Sequence, residues 1–319
     1  MSLATKKYNY CINFIKGIAC IFVVLMHCEF PGTLGVFVQC ISRFCVPFFF
    51  MVSGYFSFYK EKKCIAPKIK HIGKIILGVT LFYTCFALWK KESIEISTRL
   101  VLEFVLLNEP ILIAGQMWFL FALLYVYIVY AFVERKNLQG IACYSIPILT
   151  ILYICLAQGA HVAGIYVPNI IYRNFLIEGF PIFMLGYWIH KNEERINLPN
   201  KVLVNIIVVF TLLCPIERAL LGRDFGINIC TFPQVTAIFL YGVKNPDKFK
   251  NHIIQTLGER HSMMIYILHP AVWQIVEVIY EKLSISEITL ALYLMPILVV
   301  DGTILLSMLY YELIKLCNK

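Results

Sequence analysis

Apolar residues fill this chain in long runs separated by short connectors that carry the charges, prolines and glycines. Ten runs can be drawn: Tyr10–Cys28, Val36–Tyr59, Ile72–Trp89, Gly115–Val133, Gly140–Gln158, Asn174–His190, Val202–Leu220, Ile227–Val243, Ser262–Tyr280 and Ile288–Ile314. Most approach the ~20 residues that a helix needs to cross hydrocarbon. The pattern predicts an all-α, polytopic membrane protein of about ten transmembrane helices. It is read as a single transmembrane domain over residues 1–319 with no appended soluble domain. The first run lacks a small-residue cleavage site and leads directly into Glu29-Phe30-Pro31-Gly32, so it is read as an anchor rather than a cleaved signal. The longest outer connector, Lys90 to Ala114, has room for a short interfacial helix over Ser97–Leu107. Seven prolines (Pro47, Pro147, Pro181, Pro215, Pro233, Pro270 and Pro296) fall inside the runs. Each is expected to kink a helix where neighbours or water satisfy the freed carbonyl.

Composition supports the same class, with 60% hydrophobic and 15% charged residues and a mean hydropathy of +0.76, too little polar surface for a soluble globule. The net charge of +9 reads as topology. With the N-terminus inside, nineteen of the 28 Lys and Arg fall on cytoplasmic segments, whereas Lys90, Lys91, Arg99, Arg173, Arg218, Arg223 and Lys282 fall outside. That bias places both termini in the cytoplasm. No aromatic-interleaved basic stripe accompanies the charge, so no nucleic-acid partner is expected. The twelve cysteines show no CxxC or Cys/His cluster, so no metal site is expected and the thiols read as packing residues. Cys28 and Cys40 form the one pair worth testing for a disulfide.

Polar groups inside the runs are the candidates for chemistry, because ionisable side chains at membrane depth are costly unless they face a bundle interior or a wet cavity. Lys16 and His27, eleven positions apart, share one face of the first helix and are separated by about 16 Å of rise. Arg43 lies at a depth similar to His27, or snorkels to the outer headgroups. Ser262, Tyr266, His269 and Trp273 recur at i, i+4, i+7 and i+11, a polar-aromatic face expected to turn inward. His269 either lines a cavity or mends the hydrogen-bond gap at Pro270. Glu217 and Arg218, at one helix end, pair with each other or mark an entrance, as do Arg173 and Asn174 at another. Asp301, mid-span, reads as an interhelical hydrogen bond or a relay. The sequence lacks GxxxxGK[ST], strand-linked GxGxxG, GxSxG and HExxH patterns.

Several segments carry a resemblance. NFIKGIACIFVVLMHCEFPG followed by SRFCVPFFFMVSGYF resembles the opening of the acyltransferase 3 family of integral membrane acyltransferases, in which a basic residue, ten intervening positions and a histidine occupy the first helix. QMWFLFALLY, RNFLIEGFPIFMLGYWI and LGERHSMMIYILHP resemble the family's later landmarks in order and spacing. Lys16 stands where the family usually has Arg, keeping the charge but losing the bidentate fork. The FPG after His27 and the RNF…GFP segment are most similar to the branch containing the membrane half of the vancomycin-resistance serine/alanine racemases, a group whose membrane part is linked to amino-acid uptake.

The resemblance implies transfer of an acyl group, most simply acetyl, from cytoplasmic acetyl-CoA or another acyl-CoA to a hydroxyl of an extracytoplasmic acceptor such as a cell-surface glycan. The setting is the lipid of a bacterial cytoplasmic membrane. In that reading Lys68, Lys70, His71 and Lys74, with Lys60, Lys62 and Lys63, form a basic loop for the donor's phosphates, or merely reflect the charge bias. The donor's arm passes Lys16, and His27 removes the acceptor's proton while Arg43 supplies stabilising charge. Arg173, Asn174, Glu217, Ser262, Tyr266, His269 and Trp273 line the acceptor cavity. The rival is a small-solute transporter for an amino acid such as serine, and a third reading is a membrane partner of a separately encoded soluble enzyme.

Overall fold

The computed structural model describes residues 8–58, 65–90, 97–110 and 115–317, and every described element is helical. In chain order these are α1 Tyr10–His27, α2 Gly32–Ser42, α3 Cys45–Tyr55, α4 Ala66–Trp89, α5 Thr98–Leu107, α6 Trp118–Arg135, α7 Gln139–Val162, α8 Phe180–Lys191, α9 Asn200–Leu221, α10 Thr231–Lys244, α11 Ile253–Lys282 and α12 Thr289–Cys317. Among the described residues, eight stretches are long and apolar enough to cross a membrane: α1, Gly32–Tyr55, α4, Gly115–Arg135, α7, α9, α11 and α12. The two other expected runs are shorter helices. One is α8, 12 residues led by the π turn Phe175–Gly179, and the other is α10, 14 residues.

Two helices start well ahead of the hydropathy boundaries. α4 begins at Ala66 and α11 at Ile253, well before their apolar runs, because a helix continues past hydrocarbon as long as its backbone groups stay paired. The second expected helix is broken at Arg43-Phe44, so Arg43 occupies a turn between α2 and α3 rather than a helix. Three of the seven prolines, Pro215, Pro270 and Pro296, are interior. Pro47, Pro147 and Pro233 instead lie in first helical turns after breaks at Arg43-Phe44, at Cys143-Tyr144 within α7 and at Ile229-Cys230, where no intrahelical partner awaits their missing N–H. The short helix expected after Ser97 is present as α5, capped by the Ser97 hydroxyl accepting from Leu100 N at 3.1 Å. It presents Val101, Leu102, Val105 and Leu106 outward. No disulfide joins Cys28 and Cys40, which are both buried thiols.

The chain divides into two compact units. The first holds residues 1–48, 198–220 and 230–319, with α1 as its interior helix; half of α1 is buried, against 11% of α9. Here α1 and α11 touch backbone to backbone. A Cβ on Gly17 would land on the carbonyl oxygen of Ile254, and one on Gly258 would land on the Asn13 carbonyl oxygen and the Gly17 nitrogen. Small residues permit this approach, as in other membrane helix pairs.

The second unit, residues 49–197 and 221–229, uses the same device. A Cβ on Gly54 would strike the Phe183 carbonyl oxygen, and one on Gly186 the Met51 carbonyl oxygen. Gly54 and Gly186 thus pack reciprocally, and with Phe50 at Gly179 and Tyr55 at His190 the helices α3 and α8 run parallel.

Gly258→Ala is expected to lower stability by at least ~1–3 kcal/mol, since backbone rather than a yielding side chain occupies the space. Gly73→Ala, with nothing within 4 Å of its added carbon, serves as the tolerated control. Thermal unfolding of the purified proteins in detergent compares them, and an unchanged midpoint for Gly258→Ala would remove the backbone contact from the account.

Candidate functional site

In the first unit the α1–α11 contact carries two imidazoles together. Cys20 Sγ meets the Ser262 carbonyl oxygen at 3.6 Å, and further along the His27 and His269 rings stack with centroids 5.3 Å apart and an interplanar angle of 23°. The offset in numbering is 242 at both contacts, so the two helices run parallel and in register. His27 is the last residue of α1 and is partly exposed. His269 is 1% exposed. Its Nδ1 lies 2.7 Å from the Tyr266 carbonyl oxygen. A carbonyl only accepts, so Nδ1 carries the hydrogen and Nε2 keeps a lone pair. That Nε2 is buried and has no hydrogen-bond partner among the described residues. His269 therefore bonds back to its own helix near Pro270 and also faces His27. Tyr266, with its ring 5.9 Å from that of His269, joins the same cluster, and Ser262 and Trp273 are partly buried on the same helix.

Arg43 Nη1 reaches the Met26 sulfur at 3.4 Å, bringing the guanidinium beside the last turn of α1. Lys16, half-buried on α1, makes no hydrogen bond or ion pair with a described residue, though Glu259 on α11 acts on it electrostatically. Glu217 Oε2 accepts from the Cys230 backbone N–H at 2.8 Å, closing the start of α10. Arg218 donates to Gln39, which in turn donates to Glu29 at 2.5 Å. Asp301 is exposed and lacks a hydrogen-bond or ion-pair partner among the described residues, so the interhelical bond expected for it is not made.

In the second unit the expected basic loop is the start of a helix. Lys68, Lys70, His71 and Lys74 occupy the first turns of α4, while Lys60, Lys62, Lys63 and Lys91 lie outside the described residues. Lys68 donates to the Phe56 carbonyl at 2.7 Å and to the Ser57 hydroxyl at 2.8 Å, so its ammonium ties the end of α3 to α4. Lys70, His71 and Lys74 are exposed. Arg173 stacks over Trp118, its guanidinium carbon 4.5 Å from the ring centroid. Gly226, at φ +81°, passes beneath it with room for no more than ordinary contact, and left-handed backbone there favours glycine. The Tyr153 hydroxyl fixes this loop by donating to Phe225 O at 2.6 Å and accepting from Ile227 N at 3.0 Å. Asn174 is spent on structure. Its amide donates to Ile170 O and Ile171 O, and its Oδ1 accepts from Leu176 N and Ile177 N, at 2.9–3.0 Å.

Sequence reasoning passed over three polar features here. Asn108 sits at φ +57° after α5 and accepts from Phe175 N at 2.7 Å. Glu178, 2% exposed, is a lone carboxylate in an apolar run, a visible signal. Outside the spans, half-buried Glu109 has its carboxyl raised above the usual range by burial, with Arg173 opposing the shift and Glu103 adding to it.

These helices, with charged groups turned into the bundle, define a multi-pass membrane protein. The chain belongs to the acyltransferase 3 family, whose acyltransferase domain matches residues 9–312. It is similar to the serine/alanine racemase of Enterococcus gallinarum, at 25% identity over 331 aligned residues covering 93% of this chain and 46% of that protein. The chain thus spans about half the length of that relative. No solved structure matches it.

Asn174→Ala, which removes four hydrogen bonds around one buried amide, is expected to cost ~1–3 kcal/mol, read as a lower thermal midpoint in detergent. Asn174→Asp, which keeps the acceptor, should lose less. A ligand-contact role alone would leave both midpoints in place. For Glu109, a folded-state value above the unfolded one means the folded protein binds the proton more tightly. Its contribution to stability therefore falls as pH rises through the window above the ordinary carboxylate value of about 4.3. Glu109→Gln should flatten the dependence of the thermal midpoint between about pH 4 and pH 7, and an identical slope would show that the buried carboxyl does not contribute.

Proposed function

We propose that this protein is a membrane O-acyltransferase of a bacterial cytoplasmic membrane. In this reading it moves an acyl group, most simply acetyl, from acyl-CoA to a hydroxyl of an extracytoplasmic acceptor such as a cell-surface glycan. The observation that carries this reading is the stacked His27–His269 pair, formed where the end of α1 meets the middle of the in-register α11. A thioester is already activated, so the remaining barrier is removal of the acceptor's proton and charge build-up on the carbonyl oxygen. His27 takes the proton as the hydroxyl oxygen bonds to the carbonyl carbon. The C–S bond then breaks, and the leaving thiolate is protonated from the His27 imidazolium. That cation forms at the carbonyl end of α1, where a helix dipole favours positive charge, and against the π face of His269.

His269 is a positioning residue here. Its tautomer is fixed by Tyr266, and its ring holds that of His27 in one orientation. Arg43, drawn to Met26, supplies positive charge for the oxyanion. Lys16, without a hydrogen bond to a described residue, meets the donor's polar arm. In the second unit, taken by itself, the exposed Lys70, His71 and Lys74 are point charges of the kind that suit phosphates, and Arg173 stacked on Trp118 offers a polar contact. Lys68 has two of its three hydrogens committed to the chain and contributes less.

Purified protein in nanodiscs should bind acetyl-CoA. His27→Ala should keep that binding while losing turnover by at least ~100-fold. Absence of acetyl-CoA binding at millimolar ligand, or solute uptake into proteoliposomes that needs no CoA, would replace this reading with amino-acid transport.

A further inference from the structure

A second site lies in the unit of residues 49–197 and 221–229, where α7 and α8 enclose an open cleft of about 550 Å³. Along α8 and the turn that follows it, Leu185, Trp188, Lys191 and Arg195 face the cleft, and Tyr144 and Pro147 face it from α7. The order along the axis carries the argument. Leu185 and Pro147 are apolar. Trp188 and Tyr144, 40% and 70% exposed, are amphipathic rings of the type that settle at the headgroup level. Lys191 and Arg195, both exposed, come last, Lys191 about 4.5 Å beyond Trp188 by helical rise and Arg195 in the turn after it. Below Tyr144 on α7, Ile148 and Ile151 continue the gradient as exposed aliphatic surface, at 62% and 61%. Apolar, amphipathic, then cationic is the sequence of a phospholipid's own groups from acyl chain through glycerol to phosphate.

The two cations are available. Neither the Lys191 nor the Arg195 side chain makes a hydrogen bond or ion pair with a described residue. The neighbouring carboxylates do not line the cleft, and Glu193 accepts from the Tyr55 hydroxyl at 2.7 Å instead. Helix-end lysines and arginines that serve only to orient a chain need no cleft. Here they share one with an indole and a phenol, and a site lined by two cations and no anion selects net negative charge over a zwitterion.

We propose that this cleft binds an anionic phospholipid, with Lys191 and Arg195 on the headgroup phosphate, Trp188 and Tyr144 at the glycerol level and an acyl chain along Leu185 and Pro147. A free phosphate ester offers the same phosphate to the two cations but no acyl chain, and that difference separates the two sources.

The test uses the full chain, purified in neutral detergent and offered equal amounts of phosphatidylglycerol and phosphatidylcholine, with retained lipid read by native mass spectrometry. Phosphatidylglycerol should be retained about tenfold over phosphatidylcholine, a difference of ~1.4 kcal/mol. The Lys191→Gln, Arg195→Gln double variant should lose the preference, and Lys191→Arg, Arg195→Lys should keep it. Thermal midpoints of all three proteins check that the fold is retained. Equal retention of both lipids by the unaltered protein, or an undiminished preference in the double Gln variant, overturns the proposal. So does displacement of phosphatidylglycerol by inorganic phosphate or acetyl-CoA at concentrations comparable to the lipid's, which would make the cleft a soluble phosphate-ester site. None of these readouts depends on acyl transfer, so this proposal and the function proposed above stand or fall separately.

Discussion

The contact between α1 and α11 at Gly17 and Gly258 governs the first unit. Two helix backbones in direct contact cannot slide, because every shift drives carbonyl oxygens into the facing chain. Fixed at that point, and parallel, the helices deliver Cys20 to the Ser262 carbonyl and His27 to His269 without needing a special contact at the imidazoles themselves. The π turn Leu257–His261 lies within the contact, and such turns add a residue to a helix without ending it. It adjusts which side of α11 faces α1 above the glycine, and so helps aim His269.

Hydrocarbon offers no hydrogen bonds, so a membrane helix end or break must be answered by the protein. The side chains that answer are named and local. Asn174 and Asn108 serve the start of the α8 segment, Glu217 serves the start of α10, and Lys68 serves the end of α3. Against this background the groups that are not so used stand out. Lys16 and the Nε2 of His269 remain uncommitted among the described residues, and both lie on the α1–α11 pair. An enclosed polar atom without a partner is costly in a packed structure, and a bound molecule is the natural means of relieving that cost.

Much of this was legible along the chain, and the reasons for the rest are physical. The apolar runs, the shared face of Lys16 and His27 and the short helix after Ser97 follow from periodicity and capping, which are local. Helix ends are not marked by hydropathy, so Lys68, Lys70, His71 and Lys74 read as a loop although they open α4. The break at Arg43 was hidden because both flanks are equally apolar. Pro47, Pro147 and Pro233 looked interior for the same reason, since hydropathy does not register the turns before them. The pairing of His27 with His269 was beyond reach of any local rule, because it depends on two glycines that meet across most of the chain.

That long span bears on how the protein is made. Ribosomes add about 5–20 residues per second, so the 242 positions between His27 and its stacking partner correspond to roughly 12–48 s of synthesis. Throughout that interval the opening helix sits in the bilayer with an amine and an imidazole that its mate has not yet covered. That segment must be sheltered during biogenesis by insertion machinery, neighbouring nascent helices or water, and the bundle closes around its reactive face only once α11 has been made.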